Sequence, residues 1–261
     1  MHTDIDIQAL MELVRQAGKL LYDREGSTHI RKKGRADYVT QVDMAVQGFF
    51  GEELPKRWPH IQFMSEEQSN AHLDPNAPMW ILDPVDGTCN LIHDLGMSAI
   101  SLALVEGGQV MLGIVYNPFN GEMFHAIRGQ GAFRNGEPIH VSDQQELADS
   151  LIAIGTSPYQ KQLAETNFAL FRRLFEVGAD IRRMGTASLD LAYVACGRMD
   201  AYLERGLKPW DFAAGILLVE EAGGQVRDYQ GNPLIPTQPS DMFAHNGPIG
   251  ARIAEAVSLE F

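Results

Sequence analysis

The first regular pattern along the chain is helical. Between residues 4 and 25, Leu10, Leu13, Val14, Ala17, Leu20 and Leu21 recur at three- and four-residue spacing, which predicts one amphipathic helix stopped at Gly26. A second helix is expected to open within Asp37 to Asp43, with Val42, Ala45, Val46, Phe49 and Phe50 as its stripe and an end before Pro55. The period then shortens. Gln62 to Met64 reads as a strand, and Trp80-Ile81-Leu82 is an apolar run of β type. Ser98 to Val105 and Gln109 to Asn117 flank Glu106-Gly107-Gly108, a hairpin signal; Glu122 to Ala126 continues the meander, and Asn135-Gly136 marks another tight turn. This block predicts an antiparallel sheet packed on the first two helices.

From about residue 150 strands and helices alternate. Leu151 to Gly155, Asp180 to Met184, Asp200 to Glu204, Gln225 to Tyr229 and Met242 to His245 read as strands. Between them lie a helix striped by Leu163, Phe168, Phe171, Leu174 and Phe175, another over Leu189 to Cys196, and a third from Trp210 towards Ala222. Such alternation predicts helices covering a mixed sheet. The chain has no internal repeat, and the polar stretch Ser142 to Asp149 is its one boundary candidate. The expectation is one domain over residues 1–261, with an α+β subregion over about 1–145 and an α/β subregion over about 146–261.

Composition narrows the class. With 261 residues, 45% hydrophobic and 21% charged, the chain can bury a substantial core and is not expected to be disordered. No apolar run approaches a membrane span, and Met1-His2-Thr3-Asp4 lacks a signal-peptide pattern, so a cytoplasmic location is expected. A net charge of −13 argues against nucleic acid as a general partner, because duplex binding relies on Lys and Arg. Cys89 and Cys196 are too few for a disulfide framework or a zinc site. Cys89 also lacks the nearby Arg that a thiol phosphatase needs, so it reads as a space filler.

The chemistry concentrates in Trp80-Ile81-Leu82-Asp83-Pro84-Val85-Asp86-Gly87-Thr88-Cys89-Asn90. The strand ends in two carboxylates, a glycine and a hydroxyl. Pro84 is expected to end strand pairing and to fix a bend on which Asp83 and Asp86 converge, and converging carboxylates repel unless a cation lies between them. Gly87 lets the backbone approach a ligand, and Thr88 reads as the N-cap of a short helix towards His93 whose N–H groups would face an anion. The plainer reading is a capped turn with solvated carboxylates. Elsewhere, the basic loop Arg31-Lys32-Lys33-Gly34-Arg35 reads as a solvated loop or as a lid over a bound phosphate. Gly185-Thr186-Ala187-Ser188 reads as a capped glycine turn or a ligand cradle, and Asp211 as a helix cap or a ligand.

Asp-Pro-Val-Asp-Gly-Thr-Cys-Asn resembles the signature of the inositol monophosphatase family, Mg²⁺-dependent, lithium-sensitive phosphomonoesterases. Four further blocks resemble the family in family order: Asp37-Tyr38-Val39-Thr40-Gln41-Val42-Asp43, Ser65-Glu66-Glu67, Gly185 to Ser188 with its surroundings, and Trp210-Asp211-Phe212-Ala213-Ala214-Gly215. Arg182 to Tyr193 and Leu207 to Asp211 look most like the bacterial inositol-1-monophosphatase branch. The departures are Ser65 for Gly, Cys89 for the commoner Thr and Leu91 for the commoner Phe.

The resemblance implies a layered α-β-α-β-α sandwich, antiparallel in its amino half and mixed in its carboxyl half. It implies two to three Mg²⁺ ions on Glu66, Asp83, the Val85 carbonyl, Asp86 and Asp211, with Glu66 bridging and Glu67 close behind. Thr88, backed by Asp43, would orient the catalytic water, Gly87 and Thr88 would hold the phosphate, and Asp86, Gly185, Thr186, Ala187 and Glu204 would meet the substrate. The implied reaction is hydrolysis of a small phosphate ester, with inositol 1-phosphate the leading candidate by a homodimer acting off the membrane. Fructose 1,6-bisphosphate, adenosine 3′,5′-bisphosphate and histidinol phosphate are alternatives. An aspartyl-phosphate phosphotransferase is disfavoured because Asp83 and Asp86 are three apart rather than two, and a non-catalytic phosphate-binding protein because no ligand side chain is missing.

Overall fold

The computed structural model describes residues 5–34 and 37–257. Asp6 caps α1 (Ile7–Gly18) by accepting the N–H groups of Gln8 and Ala9. The helix does not run to Gly26. It tightens into a 3₁₀ turn over Lys19–Tyr22, and α2 (Arg24–Thr28) starts afresh with Gly26 inside it. The cause is local: the Asp23 carboxylate accepts the Gly26 N–H, a cap that competes with continuation. The predicted first residue of this helix lies outside the described residues.

The basic loop is instead a strand. β1 (Ile30–Gly34) pairs antiparallel with β2 (Asp37–Thr40) in a two-stranded ribbon, while Arg35 lies outside the described residues. α3 (Gln41–Arg57) follows, capped by Thr40 and Asp43, so the predicted helix opening over Asp37 to Thr40 is β structure. Pro55 falls within its last turn rather than beyond its end. The buried face is Val42, Asp43, Val46, Phe50 and Leu54; Ala45 is exposed because the polar Asp43 takes a place in the inward stripe.

A seven-stranded sheet carries the amino half: β3 (Gln62–Ser65), β4 (Met79–Asp86), then after α4 (Thr88–Ile92) β5 (Ala99–Glu106), β6 (Gln109–Asn117), β7 (Glu122–Ile127), β8 (Ala132–Arg134) and β9 (Glu137–Ile139). It is antiparallel apart from its edge strand β3, which runs parallel to β4. Pro84 does not end β4. Pairing with β5 lapses between Asp83 and Asp86 and resumes at Asp86 opposite Ala99, so proline makes a bulge within the strand.

The carboxyl half follows as β10 (Leu151–Ile154), α5 (Ala164–Val177), β11 (Asp180–Arg182), α6 (Ala187–Ala195), β12 (Ala201–Leu207), α7 (Pro209–Glu221), β13 (Gln225–Arg227), β14 (Ser240–His245) and α8 (Gly250–Val257). Its five-stranded sheet, in the order β11-β10-β12-β14-β13, is parallel between β10 and its two neighbours and antiparallel around β14. On α5 the predicted stripe is rotated: Asn167, Leu170, Phe171 and Leu174 are buried, while Phe168 and Phe175 are exposed.

Three apolar clusters stack these elements into five layers. Leu10, Val14, Phe50 and Leu54 of α1 and α3 pack on Trp80, Leu82 and Leu102. The other face of that sheet, with Ile81, Ala103 and Phe124, meets Leu189, Leu191, Phe212 and Leu217 of α6 and α7, which also contact Tyr202 and Met242 of the second sheet. α5 and α8 cover the outside of that second sheet through Phe171, Leu174 and Ile253 on Ile152, Leu203 and Phe243. The order is the expected α-β-α-β-α sandwich. Among the described residues no helix is long and apolar enough to cross a membrane.

Phe212, fully buried between the two sheets, anchors α7. Phe212→Ala is expected to destabilise the chain by roughly 3–5 kcal/mol, read from the urea midpoint.

Candidate active site

The central segment places its chemistry at the bulged end of β4. Asp83 and Asp86 are both buried, and the Val85 N–H donates to Asp83 Oδ1 at 3.0 Å. Gly87, not Thr88, is the N-cap of α4; it has φ +85°, where a side chain is strained, and a Cβ there would meet Thr186 Oγ1 at 2.4 Å. Thr88 is therefore the first helical residue and its hydroxyl is free for other work. That hydroxyl lies 3.0 Å from Asp43 Oδ1 and 3.0 Å from the Val85 carbonyl. Asp43 is itself oriented by the Thr40 N–H at 2.8 Å and the Thr40 hydroxyl at 2.5 Å, both on Oδ2.

Glu66 follows β3. Lys33 of the ribbon donates to Glu66 at 2.6 Å and to Glu67 at 2.7 Å, so one member of the basic segment enters the site while Arg31 and Lys32 stay exposed. A chain of amides holds the turn from behind. The Ser65 hydroxyl donates to Gln47, Gln47 donates to Gln68 at 3.2 Å, and Asn70 bonds both the Ser65 N–H (3.2 Å) and the Ser65 carbonyl (2.8 Å).

The carboxyl half closes the site. Ser188, first turn of α6, donates its N–H at 2.7 Å and its hydroxyl at 2.6 Å to Asp86 Oδ2. Thr186 caps α6 in position without a side-chain cap bond; its hydroxyl goes to the Met97 carbonyl at 2.6 Å. Asn90 of α4 donates to the Met97 carbonyl, the Met184 carbonyl and Thr186, which ties Gly185, Thr186 and Ala187 to the central motif. Asp211, in the first turn of α7, accepts the Lys208 N–H at 2.7 Å, so it is a helix cap as well as a site residue. Glu204 lies within β12 rather than at its end, and both its oxygens are engaged, by the Tyr202 hydroxyl at 2.5 Å and the Ser157 N–H at 2.9 Å.

Sequence reasoning did not single out Ser188, Tyr202, Ser157 or Asn90 as site residues. Tyr202 carried a usable signal, two residues before Glu204 and hence on the same strand face. Ser188 stood within a quoted turn, but its aim at Asp86 arises only from the fold.

Electrostatics joins the scattered carboxylates. Burial, then the negative charges of Glu66, Asp86 and Asp211, pushes Asp83 well above the usual carboxylate range; burial, then Asp86, does the same to Asp211. Asp86 is pushed up to about 6 by burial, against the opposing bonds from Ser188, and burial lifts Glu66 to about 7 against the pull of Lys33. Burial also raises Asp43 and Glu204. Burial alone would lower Lys33, but Glu66 and Glu67 raise it on balance.

Among the described residues no three acidic, His or Cys side chains already close around one point. The donor set nevertheless fits a hard divalent cation: it is all carboxylate and carbonyl oxygen, and it repels itself. Asp83 and Asp211 each give one oxygen to a backbone N–H and have no donor on the other among the described residues.

A carboxylate whose pKa is raised by folding stabilises the fold while protonated and loses that contribution as pH climbs through the raised value. With Asp86 at about 6 and Glu66 at about 7, the chain in EDTA should lose Tm as pH rises from about 5 to about 8. Asp86→Asn should flatten that slope. A Tm that rises over this window would contradict the assigned burial.

The chain matches the Inositol monophosphatase family model over residues 4–259. It is 39% identical over 234 residues to the Nus factor SuhB of Escherichia coli K12, covering 88% of this chain and 87% of that one. To the inositol-1-monophosphatase of Rhizobium meliloti it is 37% identical over 254 residues, 96% and 95% of the two chains. The solved IMPase of Thermotoga maritima superposes with a TM-score of 0.88 at 34% identity, covering 97% of this chain and 96% of that one. A solved IMPase/NADP phosphatase complexed with Mg²⁺ and phosphate superposes at 0.86 with 26% identity, covering 95% and 93%. The five-layer fold, the motif blocks and these matches agree, and the chain belongs to the inositol monophosphatase family.

Proposed function

We propose that the chain hydrolyses a small phosphate monoester with Mg²⁺, and that inositol 1-phosphate is its preferred substrate. The observation that carries this is the Thr88 hydroxyl, placed between Asp43 and the Val85 carbonyl at the edge of a buried, self-repelling group of carboxylates. Glu66, Asp83, the Val85 carbonyl, Asp86 and Asp211 would hold two to three Mg²⁺ ions. When bound, such ions lower the pKa of a water and offset charge on the leaving oxygen.

The protein's own groups do the rest. Asp43 accepts the Thr88 proton, which leaves the Thr88 oxygen lone pair to accept one from the attacking water. The Gly87 and Thr88 N–H groups at the start of α4 hold the phosphate oxygens. Glu204, fixed by Tyr202 and Ser157, and the Gly185 to Ala187 backbone face the hydroxyls of the alcohol. Ser188 holds Asp86 in its rotamer. The solved IMPase/NADP phosphatase bound with D-inositol-1-phosphate, 26% identical, supports a polyol ester. We read the whole chain as one domain that forms a homodimer with lithium-sensitive activity.

A second reading comes from the relatives named Nus factor SuhB. A role of that kind would not need turnover, and an intact site with no Mg²⁺-dependent phosphate release would favour it.

The decisive assay is phosphate release from inositol 1-phosphate, fructose 1,6-bisphosphate, adenosine 3′,5′-bisphosphate and histidinol phosphate, with Mg²⁺, with Mg²⁺ plus lithium, and with EDTA. The expected result is Mg²⁺-dependent, lithium-inhibited cleavage led by inositol 1-phosphate; turnover indifferent to EDTA would overturn the metal assignment. Thr88→Ala should lower kcat by roughly 10²- to 10⁴-fold, and Asp86→Asn should abolish turnover while keeping the fold. A kcat near that of the parent in either variant removes the corresponding role.

A further inference from the structure

A cavity apart from the candidate active site lies on the far side of the carboxyl-half sheet. It measures about 510 Å³ and is lined by Gln225, Arg227, His245, Gly250, Ala254 and Glu255, none of which belongs to the site above. The register explains the grouping. Gln225 lies opposite His245 and Arg227 opposite Phe243 on the antiparallel pair β13–β14, so all four side chains share one face. α8 packs on that face through Ile253 and Phe243.

His245 is 5% exposed, and its Nδ1 accepts the Gly247 N–H at 3.0 Å. That bond puts the ring proton on Nε2, which has no acceptor among the described residues. Burial, then the charge of Arg227, lowers the ring to about 4, so it is a neutral N–H donor near pH 7. Gly250 opens α8 directly against this ring: a Cβ there would stand 2.3 Å from His245 Cε1. The close approach brings the first turn of α8 beside the imidazole, with the Gly250 N–H itself bonded to the Gly247 carbonyl at 3.1 Å. Arg227 ties Nη1 to the Val226 carbonyl at 2.7 Å, which fixes the guanidinium at the cavity wall. Glu255, about 7 Å further along the helix axis, also lines the space.

We propose that this cavity binds a small anionic metabolite, its phosphate or carboxylate held by Arg227, the His245 Nε2–H and the start of α8, and its hydroxyl or amino groups held by Glu255. An imidazole N–H donor, a guanidinium, the first turn of a helix and a carboxylate line the same space. The volume is in the range of small-molecule sites.

The test uses the full chain labelled with ¹⁵N-histidine, in EDTA so that the active site holds no metal-bound anion. Inorganic phosphate and succinate are titrated separately while the His245 ring nitrogens are followed, assigned with His245→Gln. The expected result is a saturable shift of Nε2 with at least one of the two. Arg227→Met should weaken it about tenfold or more, the worth of one charged hydrogen bond. Glu255→Gln, a change at an exposed position, should tighten it, and it keeps the test open should Arg227→Met fail to fold. An Nε2 signal unmoved by both anions, or affinity unaltered in the two variants, overturns the site; a response to one anion alone identifies the head group.

Discussion

The structure depends on keeping several carboxylates buried together. Asp83, Asp86 and Asp211 lie where water cannot screen them, and each raises the cost of ionising the others. The chain meets this cost with donors drawn from separate elements: the Val85 N–H on the bulge, Ser188 on α6, the Lys208 N–H before α7, and Lys33 on the ribbon for Glu66. Each bond fixes one oxygen and leaves charge over. The surplus negative charge is what a bound metal would neutralise.

That requirement explains the layering. α6 and α7 are buried on nearly every side between two sheets, so their first turns can carry Ser188 and Asp211 into a space that loops alone could not shield. The bulge at Pro84 serves the same end. By interrupting the pairing between Asp83 and Asp86 without ending the strand, it frees the Val85 carbonyl to turn towards Thr88 while β5 still anchors Asp86.

The long strands and the carboxylates were legible because each leaves a local mark: alternation or an apolar run for the former, an acidic residue after a strand for the latter. Some short elements left none. β8 and β9 span three residues each, and the ribbon β1–β2 is exposed along β1, so neither shows a buried period. The stripe of α5 misled because two of its three aromatic residues, Phe168 and Phe175, are exposed: Phe168 packs edge-on against Phe171, and polar Asn167 takes an inward place. Thr88 read as a cap because Thr commonly is one; the left-handed Gly87 displaced it by one position. Ser188 and Lys33 could not be assigned from spacing, since each acts on a carboxylate contributed by a different stretch that only folding brings near.

The departures from the family pattern can now be weighed by where they fall. Cys89 faces solvent on α4, and Leu91, two residues on, is buried among the residues under α1 and α3. Ser65 is different, because it immediately precedes Glu66. A glycine there would leave the turn free to flex, whereas the Ser65 hydroxyl bonds Gln47, and Asn70 clamps the same residue by its backbone. The substitution therefore stiffens the support of Glu66 rather than altering its chemistry. Lys33 then acts on a carboxylate whose backbone is already fixed, so displacing that ammonium needs only a side-chain and ribbon movement, not a rearrangement of the sheet.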